Sequence, residues 1–216
     1  MPNTLFISDL HLCDSKPQST ERFLQFLNNE ARSAEALYIL GDFFEAWIGD
    51  DCNTPVAITV QQALREFTQS TQIPTYFMHG NRDFLISQAF CQKTGVQLIS
   101  DPSPVTLYGK QVLLTHGDFL CIDDKRYQRL RKFTSNRWFK KIFMYLPKKR
   151  RETIAKNGRK KSQTIQQSPS QYSVEINLNY AKKHCDKHQC RFLIHGHTHQ
   201  PQLNYLSEQK HIYRMT

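Results

Sequence analysis

The 216-residue chain has no CxxC pair; its six cysteines stand apart at 13, 52, 91, 121, 185 and 190. That scatter speaks for reduced thiols in a cytoplasmic protein and against a disulfide framework. Apolar runs long enough to span a bilayer are also missing. The opening MPNTLFISDL lacks a basic leader segment and carries an acid as early as Asp9, which argues against a signal peptide. There is no internal repeat and no low-complexity tract, so one domain over 1–216 is expected, long enough for a sizeable core.

The scarcest commodity is negative charge between residues 125 and 161. Glu152 is the one acid there, against 16 of the chain's 29 Lys and Arg. That segment alone carries +15 and the remainder −5, so the overall +10 belongs to one insert rather than to the fold that bears it. Local excess of this kind points to an anionic partner, a membrane surface or nucleic acid; a solvated helical face is the plain alternative.

What is present is strand–helix alternation. Short apolar runs predict strands at 4–9, 36–42, 75–80 and 191–197. Helical spacing marks 20–32, 56–67, 85–93 and a segment around 175–184, and 104–107 with 111–115 read as a hairpin about Gly109. Early alternation with later hairpins implies an α/β sandwich rather than a purely parallel sheet.

Metal-type side chains recur at the ends of these strands. Asp9 and His11 lie in SDLH, Asp42 in LGD, Asn81 in HGN, His116 in THGD, and His195 and His197 in HGHTH. An α/β sheet gathers the carboxyl ends of its strands into one crevice. Carboxylate, imidazole and amide donors suit Mn2+, Fe2+ or Zn2+, and the lack of thiolates argues against a structural zinc. One such cluster is an ordinary turn; five in order form a pattern.

The series DLH…GD…GNRD…HGD…GHTH resembles the calcineurin-like metallophosphoesterases over residues 4–205. More narrowly, FISDLHL, LYILGDFFEAWIGDD, HGNRDF, THGDFLCIDD and IHGHTHQP are similar to the UDP-2,3-diacylglucosamine hydrolases of lipid A biosynthesis in Gram-negative bacteria. The EAWIGDD extension is the more specific mark, because metal binding does not require it.

The resemblance implies an αββα sandwich with a helical lid and two Mn2+ per chain. Asp9, His11, Asp42 and His197 would hold one ion, and Asp42 would bridge to a second held by Asn81, His116 and His195. It implies water attack on the α-phosphorus of the UDP-linked lipid, giving UMP and 2,3-diacylglucosamine 1-phosphate. Asn81, Arg82, Asp124, Ser162, Gln166 and His195 would face the substrate. Beyond Ser162 the pattern departs: SQTIQQSPS offers Gln166 and no lysine where the family has Asn and then Lys.

Related phosphoesterases commonly read GNHD, with a histidine proposed to protonate the leaving group. Arg82 stands at that position and cannot give up a proton at ordinary pH. A pyrophosphate leaves as a phosphate monoester, already stable as an anion, so a guanidinium fork gripping phosphate oxygens serves better than an acid. The alternative is a structural pair with Asp83 or Asp50.

Residues 119–190 read as a basic, partly amphipathic helical insertion. Trp138, Phe139, Ile142, Phe143 and Leu146 share a helical face with Arg137, Lys140 and Lys141 to the side, which fits an interfacial lid meeting anionic lipid. The expected setting is the cytoplasmic face of the inner membrane, with the protein a peripheral monomer. Aromatics on one face, without a repeated stacking pattern, speak against nucleic acid. A phosphodiesterase or nuclease is the competing reading, and a non-catalytic module on the same scaffold a third. His79 and His199 are expected outside the ligand set, and His184, Cys185, His188 and Cys190 fit no common zinc spacing. The closing HIYRMT looks like the start of a strand where relatives carry further β-structure, so truncated C-terminal strands and an open sheet edge are expected.

Overall fold

Strand β2 (Ala36–Leu40) shows how this sequence builds its layers. Leu37 and Ile39 point to one side and Tyr38 and Leu40 to the other, and all four are buried. A strand covered on both faces needs continuous apolar character rather than alternation. In the computed structural model, which describes residues 3–166, 175–207 and 210–214, β2 pairs in parallel with β1 (Thr4–Ile7) and β3 (Thr75–Met78). The three-residue β4 (Gln97–Ile99) completes a four-stranded parallel sheet of order β1-β2-β3-β4. With so few residues, β4 carries no readable period in the sequence.

Helices α1 (Pro17–Asn28), α2 (Pro55–Thr71) and α3 (Gln88–Thr94) cover the outer face of this sheet. Phe23, Leu27, Val60, Leu64, Phe67 and Phe90 pack there with Leu37, Ile39 and Phe77. α2 starts where a Thr54 cap meets Pro55: the Thr54 hydroxyl accepts from Ala57 N, and proline fills a position whose N–H would have no helical partner.

The second sheet has the order β5-β6-β7-β9-β8: β5 (Ser103–Leu107), β6 (Lys110–Thr115), β7 (Phe192–His195), β8 (Gln202–Ser207) and β9 (Lys210–Arg214). β5 and β8 run antiparallel to their neighbours; β6, β7 and β9 run parallel. Tyr38, Leu40 and Met78 of the first sheet meet Val112 and Leu114 of the second. Helix α7 (Leu178–Lys187) covers the far face, where Ala181 and Cys185 pack with Leu113, Leu193, Ile212 and Phe119–Cys121. The result is the αββα sandwich expected. The open edge expected at HIYRMT is not formed by that segment, because β9 lies between β7 and β8.

Between β6 and α7 rise α4 (Lys125–Thr134), α5 (Arg137–Met144) and α6 (Lys148–Gln166). The single apolar face expected of α5 is split in two. Phe139, Phe143 and Leu146 turn inward onto the first core cluster, while Trp138 and Ile142 are 73% and 65% exposed. Residues four apart stack into a ridge, and 138/142 form one ridge next to 139/143. Ser162 and Gln166 lie outside the residues whose side chains are described.

Candidate metal and phosphoester site

The strand ends are held together by backbone and one buried acid. Asp9, His11 and Asp42 all adopt left-handed backbone, with φ of 57°, 49° and 50°. Left-handed backbone is uncommon outside glycine, least so for Asp and His, and is favoured where surrounding contacts support it. Here Asp9 N donates to Gly41 O at 3.1 Å and His11 N to Asp42 O at 3.0 Å. Asp83, fully buried, accepts from Gly80 N at 2.7 Å and Phe43 N at 2.8 Å, joining the Asn81 turn to the Asp42 turn. A Cβ on Gly80 would collide with the backbone and carboxylate of Asp42, so only glycine admits this approach.

Two donor groups result. Oxygen and nitrogen atoms of Asp9, His11 and His199 lie within 4.8 Å of one another, and so do those of Asp42, His116 and His197. His11 Nε2 and His199 Nε2 stand 3.1 Å apart, with Asp9 Oδ1 3.7 Å from the latter. Asn81 Oδ1 reaches His116 Nε2 at 3.2 Å, which adds it to the second group. This differs from the expected partition. His197 gives its backbone N–H to Asp9 Oδ2 at 2.8 Å, and with φ of 71° its ring joins Asp42 and His116, while His199 takes the place beside His11. His195 lies in neither group: fully buried, its Nδ1 sits 2.8 Å from Gly196 O.

The electrostatics suit a cation. Burial first, then the Arg82 charge, hold His11 near a pKa of about 3. Burial and the neighbouring His116 do the same to His197, at about 3, so both rings are neutral donors at pH 7. Burial opposes charge on His116 too, but Asp42, Asp9, Asp118 and Asp101 outweigh it and hold that ring at about 9. Burial, with Asp83 and Asp9 close, raises Asp42 to about 7 against the pull of His116. Asp9 Oδ1 is buried without a hydrogen-bond partner among the described residues, an arrangement costly for a carboxylate unless a cation faces it. Carboxylates, imidazoles and one amide without thiolate fit a hard-to-borderline divalent metal.

Arg82 is placed by Asp42 and by Glu45, an acid the sequence reading did not name. Its backbone N–H donates to Asp42 Oδ1 at 2.9 Å, and its Nε lies 3.5 Å from Asp42 Oδ2. The guanidinium donates to Glu45, not to Asp83 or Asp50. Glu45 is buried, also accepts from Arg159 of α6, and lies 3.8 Å from His11 Nδ1. The signal lay in EAWIGDD. Glu45 orients Arg82, Trp47 N donates to Arg82 O, and Asp50 caps α3 through Ser87 and Phe90. Asp51 pairs with Arg151 of α6.

On the other side, Tyr127 OH and Arg131 Nε of α4 donate to Asp118 Oδ2 at 2.6 and 2.7 Å. Arg131 also reaches Asp101, whose Oδ1 accepts from Thr115 and from His116 N. Asp124, expected on the substrate, caps α4 by accepting from Tyr127 N at 2.8 Å. Two cavities run beneath α4 and α5. One of about 190 Å³ borders Asn81, Gly80, His79, Asp118, Tyr127 and Arg131; one of about 380 Å³ is bordered mainly by Phe84, Leu85, Ile86, Met144 and Tyr145. Phe84 and Lys140 border both. His79 ties its ring to Ile86 O, and His184 packs on Phe119 with Cys185 and Cys190 buried nearby.

A sequence model described as calcineurin-like phosphoesterase matches residues 2–201, and the chain belongs to that family. It is a metal-dependent hydrolase. Its relatives include the UDP-2,3-diacylglucosamine hydrolase of Aeromonas hydrophila, 43% identical over 202 residues, 94% of this chain and 83% of that one. The UDP-2,3-diacylglucosamine hydrolase of Escherichia coli O81 is 44% identical over 203 residues, 94% of this chain and 84% of that one. That of Histophilus somni is 43% identical over 204 residues, 94% and 87%.

Proposed function

We propose that this chain hydrolyses the pyrophosphate of UDP-2,3-diacylglucosamine, with two Mn2+ ions held at the paired donor groups. The observation that carries the reading is the pair of donor groups at the strand ends, the second of which meets the Arg82 guanidinium through Asp42. The identity to enzymes named for that substrate, over nearly the whole chain, supports the same choice. Bound divalent ions would acidify a water and draw charge from phosphoryl oxygens.

Asp9, His11 and His199 would hold one ion, and Asp42, Asn81, His116 and His197 the other. The water oxygen bonds to the α-phosphorus as the bond from that phosphorus to the bridging oxygen breaks. The electron pair leaves on the sugar phosphate, and the water's protons pass to products and solvent. Arg82, steadied by Glu45, grips phosphate oxygens as charge spreads onto them. Since the leaving phosphate is stable as an anion, an arginine suffices where an acid would otherwise stand.

The acylated sugar enters beneath α4 and α5, where the polar cavity beside Asn81 adjoins the apolar one. Leu130, Phe133, Trp138, Ile142 and Tyr145 are exposed on these helices among basic residues, so the lid rests on the anionic surface from which the lipid is drawn. No described helix is long and apolar enough to cross a membrane. Titration with Mn2+ by calorimetry, followed by hydrolysis assays on UDP-2,3-diacylglucosamine, bis-p-nitrophenyl phosphate and single-stranded DNA, tests the reading. Two ions bound and preference for the lipid nucleotide are expected; preference for DNA would overturn it in favour of a nuclease.

A further inference from the structure

The basic insert spends its buried charges unevenly. Arg131 ends on Asp118 and Asp101, Arg151 on Asp51, and Arg159 on Glu45. Lys140 also turns inward, but its ammonium ends on the carbonyl of Phe84, at 2.8 Å, and lies 5.6 Å from the centre of the Phe84 ring. No carboxylate lies within salt-bridge distance of it among the described residues. An ammonium has three donors, and the carbonyl takes one. Burial pushes its pKa down, as expected of a cation without a counter-charge.

The position matters more than the charge. Lys140 and Phe84 form the shared wall of the polar cavity at Asn81 and the apolar cavity at Leu85, Ile86, Met144 and Tyr145. A ligand that reaches from the polar cavity to the more apolar one passes this lysine, although Ser87 and Lys141 also border the latter. A neutral boundary needs no cation there; a phosphate next to an acyl-bearing group does.

We infer that Lys140 is a specificity-determining residue that binds the phosphate on the sugar side of the substrate, the group that departs with the acylated sugar. The inference rests on the reaction proposed above, and it assigns a contact to a residue of the lid rather than of the strand ends. It also gives the site a cation on its lipid side, although residues 162–170 supply no lysine.

The test compares wild type with Lys140→Met, which keeps the apolar stem over Phe84, and Lys140→Arg, which keeps the charge. In Lys140→Met, kcat/KM for UDP-2,3-diacylglucosamine should fall about tenfold further than kcat/KM for bis-p-nitrophenyl phosphate, the scale of one charge-assisted hydrogen bond, and Lys140→Arg should recover most of it. Independently, Lys140→Met should weaken binding of dodecyl phosphate about tenfold while dodecanol binds as in wild type. Parallel loss on both esters, or unchanged dodecyl phosphate affinity, would overturn the assignment. If wild type releases no UMP, the proposed reaction falls and the dodecyl phosphate titration alone decides for or against Lys140.

Discussion

The strand-end turns and the basic insert place functional side chains by opposite means. At the strand ends, position comes from the backbone: left-handed residues at 9, 11, 42 and 197, and the buried Asp83 tying two turns together. In the insert, position comes from long arginine side chains that reach carboxylates of the body, Arg131 to Asp118, Arg151 to Asp51 and Arg159 to Glu45. The first arrangement is rigid because interlocked main chain cannot shift one residue alone. The second is a set of tethers between packed bodies, so it can loosen tether by tether. A metal centre needs the former, and a cover over a lipid substrate can use the latter.

Breaking the rigid half should cost most. Arg82→Ala is expected to lower kcat on the lipid nucleotide by about 10²–10³-fold, the scale for losing one donor to developing charge, with Mn2+ content unchanged by metal analysis. Unaltered turnover would remove Arg82 from the chemistry. The junction between the halves comes next. Glu45→Gln keeps the shape but removes the charge shared by Arg82, Arg159 and the neighbourhood of His11, and should lower kcat/KM by about tenfold or more. A change below twofold would show that Arg82 needs no such partner.

Loosening a tether should cost less. Arg151→Met removes the bonds to Asp51 and to Ile48 O, so limited proteolysis between α5 and α6 should quicken while the Mn2+ affinity stays as in wild type. Because Asp51 is half exposed, stability should fall by only about 1 kcal/mol. Equal proteolysis rates would mean the lid is fixed by its apolar ridge instead. The smallest effect is expected at the outer ridge: Trp138→Ala should weaken binding to anionic vesicles severalfold, by loss of buried apolar area at the interface. Vesicle binding equal to that of wild type would mean that Trp138 does not meet the membrane.

The same contrast explains what the sequence disclosed. The strand-end donor residues were legible because an apolar run followed by Gly and Asp or His is a local pattern, and the sheet fixes where each run ends. Asp9 and His11 fall in one donor group, and Asp42, His116 and His197 in another with Asn81 beside His116. That the His199 ring lies beside His11 while the His197 ring lies beside His116 was not legible, since it depends on which atom of His197, backbone or ring, faces Asp9. Glu45 was hidden for a different reason: nothing local says that an acid in EAWIGDD meets arginines 37 and 114 positions further on. Asp124 caps α4 through its carboxylate, a role set within three residues that the expected substrate contact did not anticipate. The split ridge of α5 turned on which half met the body, a tertiary fact that the moment of an isolated helix does not hold.

The central proposal is that the two strand-end donor groups hold divalent metal and hydrolyse a lipid-linked pyrophosphate. Release of UMP from UDP-2,3-diacylglucosamine should occur with Mn2+, stop when EDTA is present in excess, and return when Mn2+ is restored. Release that persists through the chelator, or the absence of any release from folded, Mn2+-loaded protein, would contradict it.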